Sequence, residues 1–402
     1  MSSTDQREPW PWRAAVADLL QRTRLAQPDE LATEVSAAAA PLGLAATIYL
    51  VDQEQRTLWP VPRPEVATPE PLPVDTTVAG RVFMTVQLVL DGPEVWLPLL
   101  DGTERLGVLR LTTGGGAPPP DQGFQAGCDL FAQLVGHMVA TKIPYGDALV
   151  RVKRTRRMSE ASELVFRLLP PLTFVSRRMV VSAILEPCYE VGGDGFDYAS
   201  AESSLFFAIY DTAGHELRAG LGTATVMSAI RAARRAGDDL VALARSADLA
   251  LERYLPELRF TTAVIGELDV ATGRLRYVNA GHPRPLLLRH GKVVRSLDGG
   301  RRLPLGLDDA RAEVGEEMLE RGDRLLLYTD GVTETREHGE LFGADRLAEL
   351  FERTAGELPA PEALRRLCHA ALARYDGPPS DDATLMLVEW SHDAVEAMIP
   401  TA

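Results

Sequence analysis

Between Arg178 and Trp390 the chain alternates short apolar runs, rich in Leu and β-branched residues, with longer stretches whose apolar positions recur at helical spacing. The runs are Met179–Leu185, Leu205–Tyr210, Thr261–Leu268, Arg274–Asn279, Pro285–Leu288, Arg324–Tyr328 and Thr384–Trp390. Their length and residue types predict strands. Two helices are predicted between the second and third runs, Ala219–Ala236 and Asp238–Tyr254, and a third after the sixth, Ala344–Ala355. Many strands with the helices gathered in blocks predict an α+β domain with largely antiparallel sheets, not a regular βαβ winding.

The N-terminal third is ordered differently. Asp29–Pro41 reads as an Ala-rich helix entered behind a Pro, and Ala45–Asp52 as a short strand. Val82–Leu90, Glu94–Leu99 and Arg105–Thr112 read as further strands, and Phe124–Lys142 returns to helical spacing. Pro60–Pro73 and Gly114–Pro120 read as loops inside one small domain. Asp147–Leu169 carries Arg151, Lys153, Arg154, Arg156 and Arg157, stops at Pro170-Pro171, and reads as a linker helix. A solvated helix surface accounts for its basic cluster; a helix that relays the state of one half to the other is the alternative. The predicted layout is an N-terminal helical segment over 1–28, a sensor domain over 29–142, a linker helix over 143–172 and a second domain over 173–395.

At 402 residues and 46% hydrophobic composition the chain can bury two or three cores. A net charge of −15 opposes sequence-independent binding to phosphate backbones, which draws on clustered Lys and Arg, so nucleic acid is not an expected partner. Met1–Arg13 lacks the basic stretch and apolar core of a secretory signal. No run approaches the roughly 18–20 apolar residues of a membrane span. A soluble, cytoplasmic protein is therefore expected, with no membrane partner. Three cysteines, Cys128, Cys188 and Cys368, are odd in number and widely spaced, which suits reduced thiols. Cys368 and Arg374 have the Cys-x5-Arg spacing of thiol-dependent phosphatases. The residues between them contain no Gly and continue a helical pattern from Pro361, which uses internally the N–H groups that a phosphate cradle needs. His137 falls on the apolar face of its helix and is read as packed, not as a haem ligand.

Four acidic positions stand beside predicted strands or in a Gly-rich turn: Asp194 in Val191-Gly-Gly-Asp-Gly-Phe-Asp197, Asp211 after Leu205–Tyr210, Asp330 in Tyr328-Thr-Asp-Gly331, and Asp381-Asp382 before Ala383. One such Asp is usually a turn former or helix cap. Four in one domain change that balance. Clustered carboxylates without His or Cys partners suit Mg²⁺ or Mn²⁺, and without a cation they would repel one another.

The segments Pro187–Asp197, Tyr210-Asp-Thr-Ala-Gly-His215, Thr261-Thr262, Leu268–Pro283, Leu303-Pro-Leu-Gly-Leu307, Tyr328-Thr-Asp-Gly-Val-Thr-Glu334 and Asp381-Asp-Ala-Thr384 follow one another in an order that resembles SpoIIE/RsbU-type, protein phosphatase 2C-like (PPM) serine/threonine phosphatases. The resemblance covers about 200 residues. It implies a two-layer β-sandwich flanked by helices, with a two-metal centre between the sheets. It further implies Asp194, Asp211, the Thr212 carbonyl, Asp330 and Asp381 as ligands of two Mn²⁺ or Mg²⁺ ions, and hydrolysis by a metal-activated water. His215 is the candidate proton donor to the leaving seryl oxygen. Asp197 and Asp382 are read as supporting or turn residues, and His282 as structural or catalytic.

The implied substrate is phosphoserine or phosphothreonine on a regulatory partner, commonly a STAS-domain anti-anti-sigma protein in this family. Where the family reads Gly-His-Gly, this chain has Gly214-His215-Glu216. Glu216 removes a permissive backbone position and adds a negative charge. A catalytically weak pseudophosphatase acting as a signalling scaffold is therefore the second function class. In the N-terminal third, Trp96-Leu-Pro-Leu99 and Glu104–Leu111 resemble paired central strands of GAF domains, which implies a sensor or dimerisation module and a homodimer through that domain and the linker helix.

Overall fold

The structure, a computed structural model, describes residues 11–64, 66–116, 122–186, 189, 192–214, 216–258, 260–309, 311–334, 336–337, 340–356, 358–374, 382–391 and 398. Two compact units divide the chain between Thr155 and Arg156.

In the first unit, helices α1 (Pro11–Thr23) and α2 (Leu31–Ala39) precede strands β1 (Leu44–Val51), β2 (Thr57–Pro60) and β3 (Leu72–Pro73). Helix α3 (Val78–Thr85), strands β4 (Val89–Asp91), β5 (Glu94–Asp101) and β6 (Glu104–Thr113), and helices α4 (Gln122–Lys142) and α5 (Ala148–Val152) complete it. The strands form one antiparallel sheet in the order β3-β2-β1-β6-β5-β4. Side-chain alternation splits β1 between two cores. Ala46, Ile48 and Leu50 meet Trp12, Leu31 and Phe131 of α1, α2 and α4, while Tyr49 and Val51 meet Phe83 of α3. Trp12 and Leu19 are buried in the same core as residues 29–142, so α1 is part of this unit and not a segment apart.

Two expectations fail here. Val82–Leu90, predicted as a strand for its β-branched residues, begins inside α3, because the Thr77 side chain accepts from Gly80 N at 3.0 Å and caps a helix one turn upstream. His137, predicted to be packed, is 60% exposed on α4, with Nδ1 3.1 Å from Asp101 Oδ1.

The second unit opens with α6 (Glu160–Leu168), capped by Ser159. The linker 143–172 is thus not one helix: a 3-10 turn (Ile143–Tyr145) and two short α-helices, α5 and α6, divide it, with a non-helical stretch between Val152 and Glu160. Strands β7 (Thr173–Ser176), β8 (Met179–Glu186), β9 (Asp194–Ser200) and β10 (Ser204–Thr212) follow, then helices α7 (Glu216–Ala236) and α8 (Leu240–Tyr254). Next come β11 (Thr261–Asp269), β12 (Arg274–Ala280), β13 (Leu286–Arg289), β14 (Lys292–Ser296), β15 (Arg301–Arg302), β16 (Gly315–Met318) and β17 (Asp323–Tyr328). The chain continues through α9 (Asp330–Thr333), the small pair β18 (Arg336–Glu337) and β19 (Glu340–Leu341), α10 (Gly343–Thr354) and α11 (Ala360–Leu372) to β20 (Ala383–Trp390).

Two sheets stack face to face. One runs β15-β12-β11-β10-β9, with β16 also on β12; the other runs β14-β13-β17-β20-β8-β7. Phe207, Ile209, Val264, Leu325, Leu327, Met386 and Val388 fill the space between them. The opposite faces pack on helices: Phe206, Ala208 and Tyr210 on α7 and α8, and Leu326, Leu385 and Leu387 on α10 and α11. This is the α+β fold expected, a helix-flanked β-sandwich.

Candidate metal centre

Period-2 alternation decides which acidic side chains can meet. On β10, Leu205, Phe207 and Ile209 face the inter-sheet core, so Asp211, next in that series, continues on the same face. On β9, Phe196 faces that core and so does Asp194, two residues before it. Asp194 and Asp211 are direct cross-strand partners. Asp194 is 2% exposed, and burial, then the neighbouring charges of Asp211 and Asp382, push its pKa well above the ordinary carboxylate range.

The second sheet reaches across to the same turn. Thr329, which follows β17, donates from Oγ1 to Asp194 Oδ2 at 2.7 Å and accepts from Thr384 N at 2.9 Å. Asp330 opens α9 half-buried, one residue later. Asp382 is buried just ahead of β20, and its Oδ2 accepts from Gly192 N at 2.5 Å, Gly193 N at 2.9 Å and Asp194 N at 3.3 Å.

Parity also separates residues that proximity in sequence had grouped. Asp197 lies three residues beyond Asp194 and points to the helix side, where its carboxylate takes two bonds from Arg231 of α7, at 2.7 and 3.0 Å. It anchors the helix, and Arg231 also donates to the Leu168 carbonyl at 2.8 Å. Thr212 likewise faces the helices. Its hydroxyl lies 2.8 Å from Thr223 Oγ1 and 2.9 Å from Thr261 Oγ1, and all three are buried. Thr223 in turn donates to the Gly193 carbonyl, so α7 holds both strands that carry Asp194 and Asp211.

His282 sits after β12, 6% exposed, with Nδ1 2.7 Å from Thr262 Oγ1 and its backbone N bound to Asn279 Oδ1. Burial lowers its pKa to about 3, an effect partly offset by the Tyr328 backbone, although Nε2 forms no bond of good geometry. Since Thr262 is the cross-strand partner of Asp211, His282 braces the acidic strands. A neutral imidazole fits that structural role.

His215 and Asp381 lie outside the described residues. Glu216 begins α7; its backbone is helical, so this position does not require the positive φ that favours glycine, whereas Gly214 before it has φ +121°. Cys368 is buried on α11, whose helical turns continue to Leu372, as predicted.

An all-oxygen donor set with two directly opposed carboxylates fits a hard divalent cation. Among the described residues, no three His, Cys, Asp or Glu side chains stand together as a complete ion site. Asp194 and Asp211 are brought together across the ladder. The Asp382, Thr329 and Thr223 contacts are not legible in the sequence: Thr329 beside Asp330 was the available signal, while Thr223 sits on α7, remote in sequence from the acidic positions it supports.

Residues 201–391 match the model of the family described as Stage II sporulation protein E (SpoIIE). The phosphoserine phosphatase RsbU of Bacillus subtilis is 23% identical over 210 residues, 52% of this chain and 62% of RsbU. The phosphoserine phosphatase RsbP of the same organism is 27% identical over 225 residues, 54% of this chain and 53% of RsbP. The alignments thus span less than two thirds of either relative. Among solved structures, the SiaA-PP2C domain of Pseudomonas aeruginosa matches with a TM-score of 0.50 and 24% identity, covering 57% of this chain and 94% of that domain, a likeness of fold. No helix among the described residues is long and apolar enough to cross a membrane.

Proposed function

We propose that the C-terminal unit, a SpoIIE-type protein phosphatase 2C domain, is a metal-dependent phosphatase that removes phosphate from serine or threonine of a regulatory protein. The observation that carries this reading is the cross-strand pair of buried Asp194 and half-buried Asp211 at the end of the inter-sheet space, with Thr329 and Asp382, which flank strands of the facing sheet, bonded to the same turn.

Asp194, Asp211, the Thr212 carbonyl, Asp330 and Asp381 would hold two Mn²⁺ or Mg²⁺ ions. When bound, these would lower the pKa of water and offset negative charge on the phosphoryl oxygens. His215 would supply the proton to the leaving seryl or threonyl oxygen. The chain's own contribution is geometric. The two Asp-bearing strands are fixed by their ladder, by the threonine hydroxyls and by Asp382, so the ligands are set before substrate arrives. The resemblance to RsbU-type enzymes supports a STAS-domain anti-anti-sigma protein as the substrate class. The first unit serves in this reading as a GAF-like sensor, and a cytoplasmic setting follows from that partner.

Hydrolysis of para-nitrophenyl phosphate and of a phosphoserine peptide, with Mn²⁺ and with EDTA, tests the proposal. Turnover that requires the metal is expected. No turnover with either substrate at saturating Mn²⁺ would place the protein among scaffolds without phosphatase activity.

A further inference from the structure

We propose that Asp382 is a positioning residue: one oxygen of its carboxylate holds the turn that carries Asp194 in place, so that the acidic pair is set before any cation arrives. The inference deepens the phosphatase reading and rests on it for its catalytic meaning, but the contact itself does not depend on a metal.

Three consecutive backbone N–H groups, of Gly192, Gly193 and Asp194, converge on Asp382 Oδ2 at 2.5, 2.9 and 3.3 Å. Successive N–H groups aimed at one point form an anion-binding concavity, and here the anion is a side chain of the facing sheet, 188 to 190 residues away in sequence. Two further contacts fix the same turn. Thr223 of α7 donates to the Gly193 carbonyl, and Gly193 has no Cβ because one would overlap the Thr212 carbonyl oxygen. The backbone of Asp382 lies close against Gly331, where a Cβ would collide with the Asp382 carbonyl oxygen.

The arrangement carries a cost that argues for selection of the contact. Asp382 places a second carboxylate against the turn that carries Asp194. A residue whose sole task was to fill space would avoid that charge. The turn takes an acceptor oxygen there despite the charge. Since all three bonds end on one oxygen, the neutral amide of Asn can replace them, whereas Ala cannot.

Two measurements on the full chain test this. In metal-free protein, amide hydrogen exchange of peptides spanning residues 189–196 should speed up at least tenfold in Asp382→Ala and stay within about threefold of wild type in Asp382→Asn. Calorimetric titration with Mn²⁺ should show affinity weakened at least tenfold in Asp382→Ala and restored to within about threefold in Asp382→Asn. Wild-type exchange in Asp382→Ala overturns the proposal. Equal losses in both variants also overturn it, because they would make the charge, and not the acceptor, the operative property. If Asp382→Ala does not fold, Asp382→Asn decides alone: a tenfold loss overturns, near-wild-type affinity supports. Wild-type protein that binds no Mn²⁺ would remove the metal reading while leaving the exchange result to judge Asp382.

Discussion

Asp211 stands directly across the ladder from Asp194, and the burial of Asp194 beside this second carboxylate keeps its proton bound above the ordinary range. Like charges directly opposite on a sheet cost on the order of 0.2–1 kcal/mol. Asp211→Asn should therefore leave the metal-free fold as stable as wild type or about 0.5–1 kcal/mol more stable at pH 7, while metal-dependent turnover falls at least about 100-fold. Because the native state holds the Asp194 proton more tightly than the unfolded chain, metal-free stability falls as pH rises above the unfolded carboxylate pKa. That slope should flatten in the variant. Urea unfolding in EDTA at pH 5 and 7, beside a phosphatase assay, checks both parts.

His282 has the opposite linkage. Its folded pKa is about 3 against 6.5 for a free imidazole, so the unfolded chain takes up the proton first. Stability is complete above pH 6.5 and declines as pH falls towards 3. From pH 7 to pH 5 this one group should remove about 2 kcal/mol. His282→Gln should lose that portion of the acid sensitivity. An unchanged difference between the two pH values would contradict the buried, neutral imidazole.

The buried pair Arg302–Asp248 fixes the segment that follows β15. Arg302 Nη2 lies 2.9 and 2.8 Å from the two Asp248 oxygens, and Gly306 N donates to the same carboxylate at 2.7 Å. Both side chains are nearly inaccessible. Removing one partner strands the other, so Arg302→Met should cost about 3–5 kcal/mol. The double change Arg302→Met with Asp248→Leu should recover part of it, read by denaturant midpoints.

Thiol chemistry separates from metal chemistry in one comparison. Cys368 is buried in α11, and the residues after it spend their N–H groups inside the helix. Cys368→Ser should retain turnover within about twofold, while EDTA abolishes it. The reverse pattern would assign the reaction to the cysteine.

Much of the second unit was legible because its strands are long apolar runs with turn residues at their ends. Met179–Glu186, Ser204–Thr212 and Ala383–Trp390 fall within one or two residues of prediction. Strand β9 was not legible: Asp194-Gly-Phe-Asp-Tyr-Ala-Ser200 has too few apolar residues to announce itself, and two of its Asp residues face opposite sides. Only the ladder with β10 shows that Asp194 faces Asp211 while Asp197 turns to Arg231 of α7. The N-terminal error had a similar origin. Val82, Phe83 and Val86 favour strand by type, yet the Thr77 cap and burial against Tyr49 and Val108 make the segment helical. For Glu216, the departure from Gly-His-Gly falls at the first residue of a helix, a position with no need for glycine's freedom.

Gly331 and Gly193 have no functional group, but each lets one backbone lie against another at the point where the sheets meet: Gly331 against the Asp382 carbonyl, Gly193 against that of Thr212. They therefore act as spacers of zero thickness. A methyl group at either would push apart two backbone segments whose separation sets where several oxygens converge, and no change in the carboxylates themselves could compensate. Tolerance to mutation around this centre is consequently decided as much by what is missing from two positions as by what is present at the acidic ones.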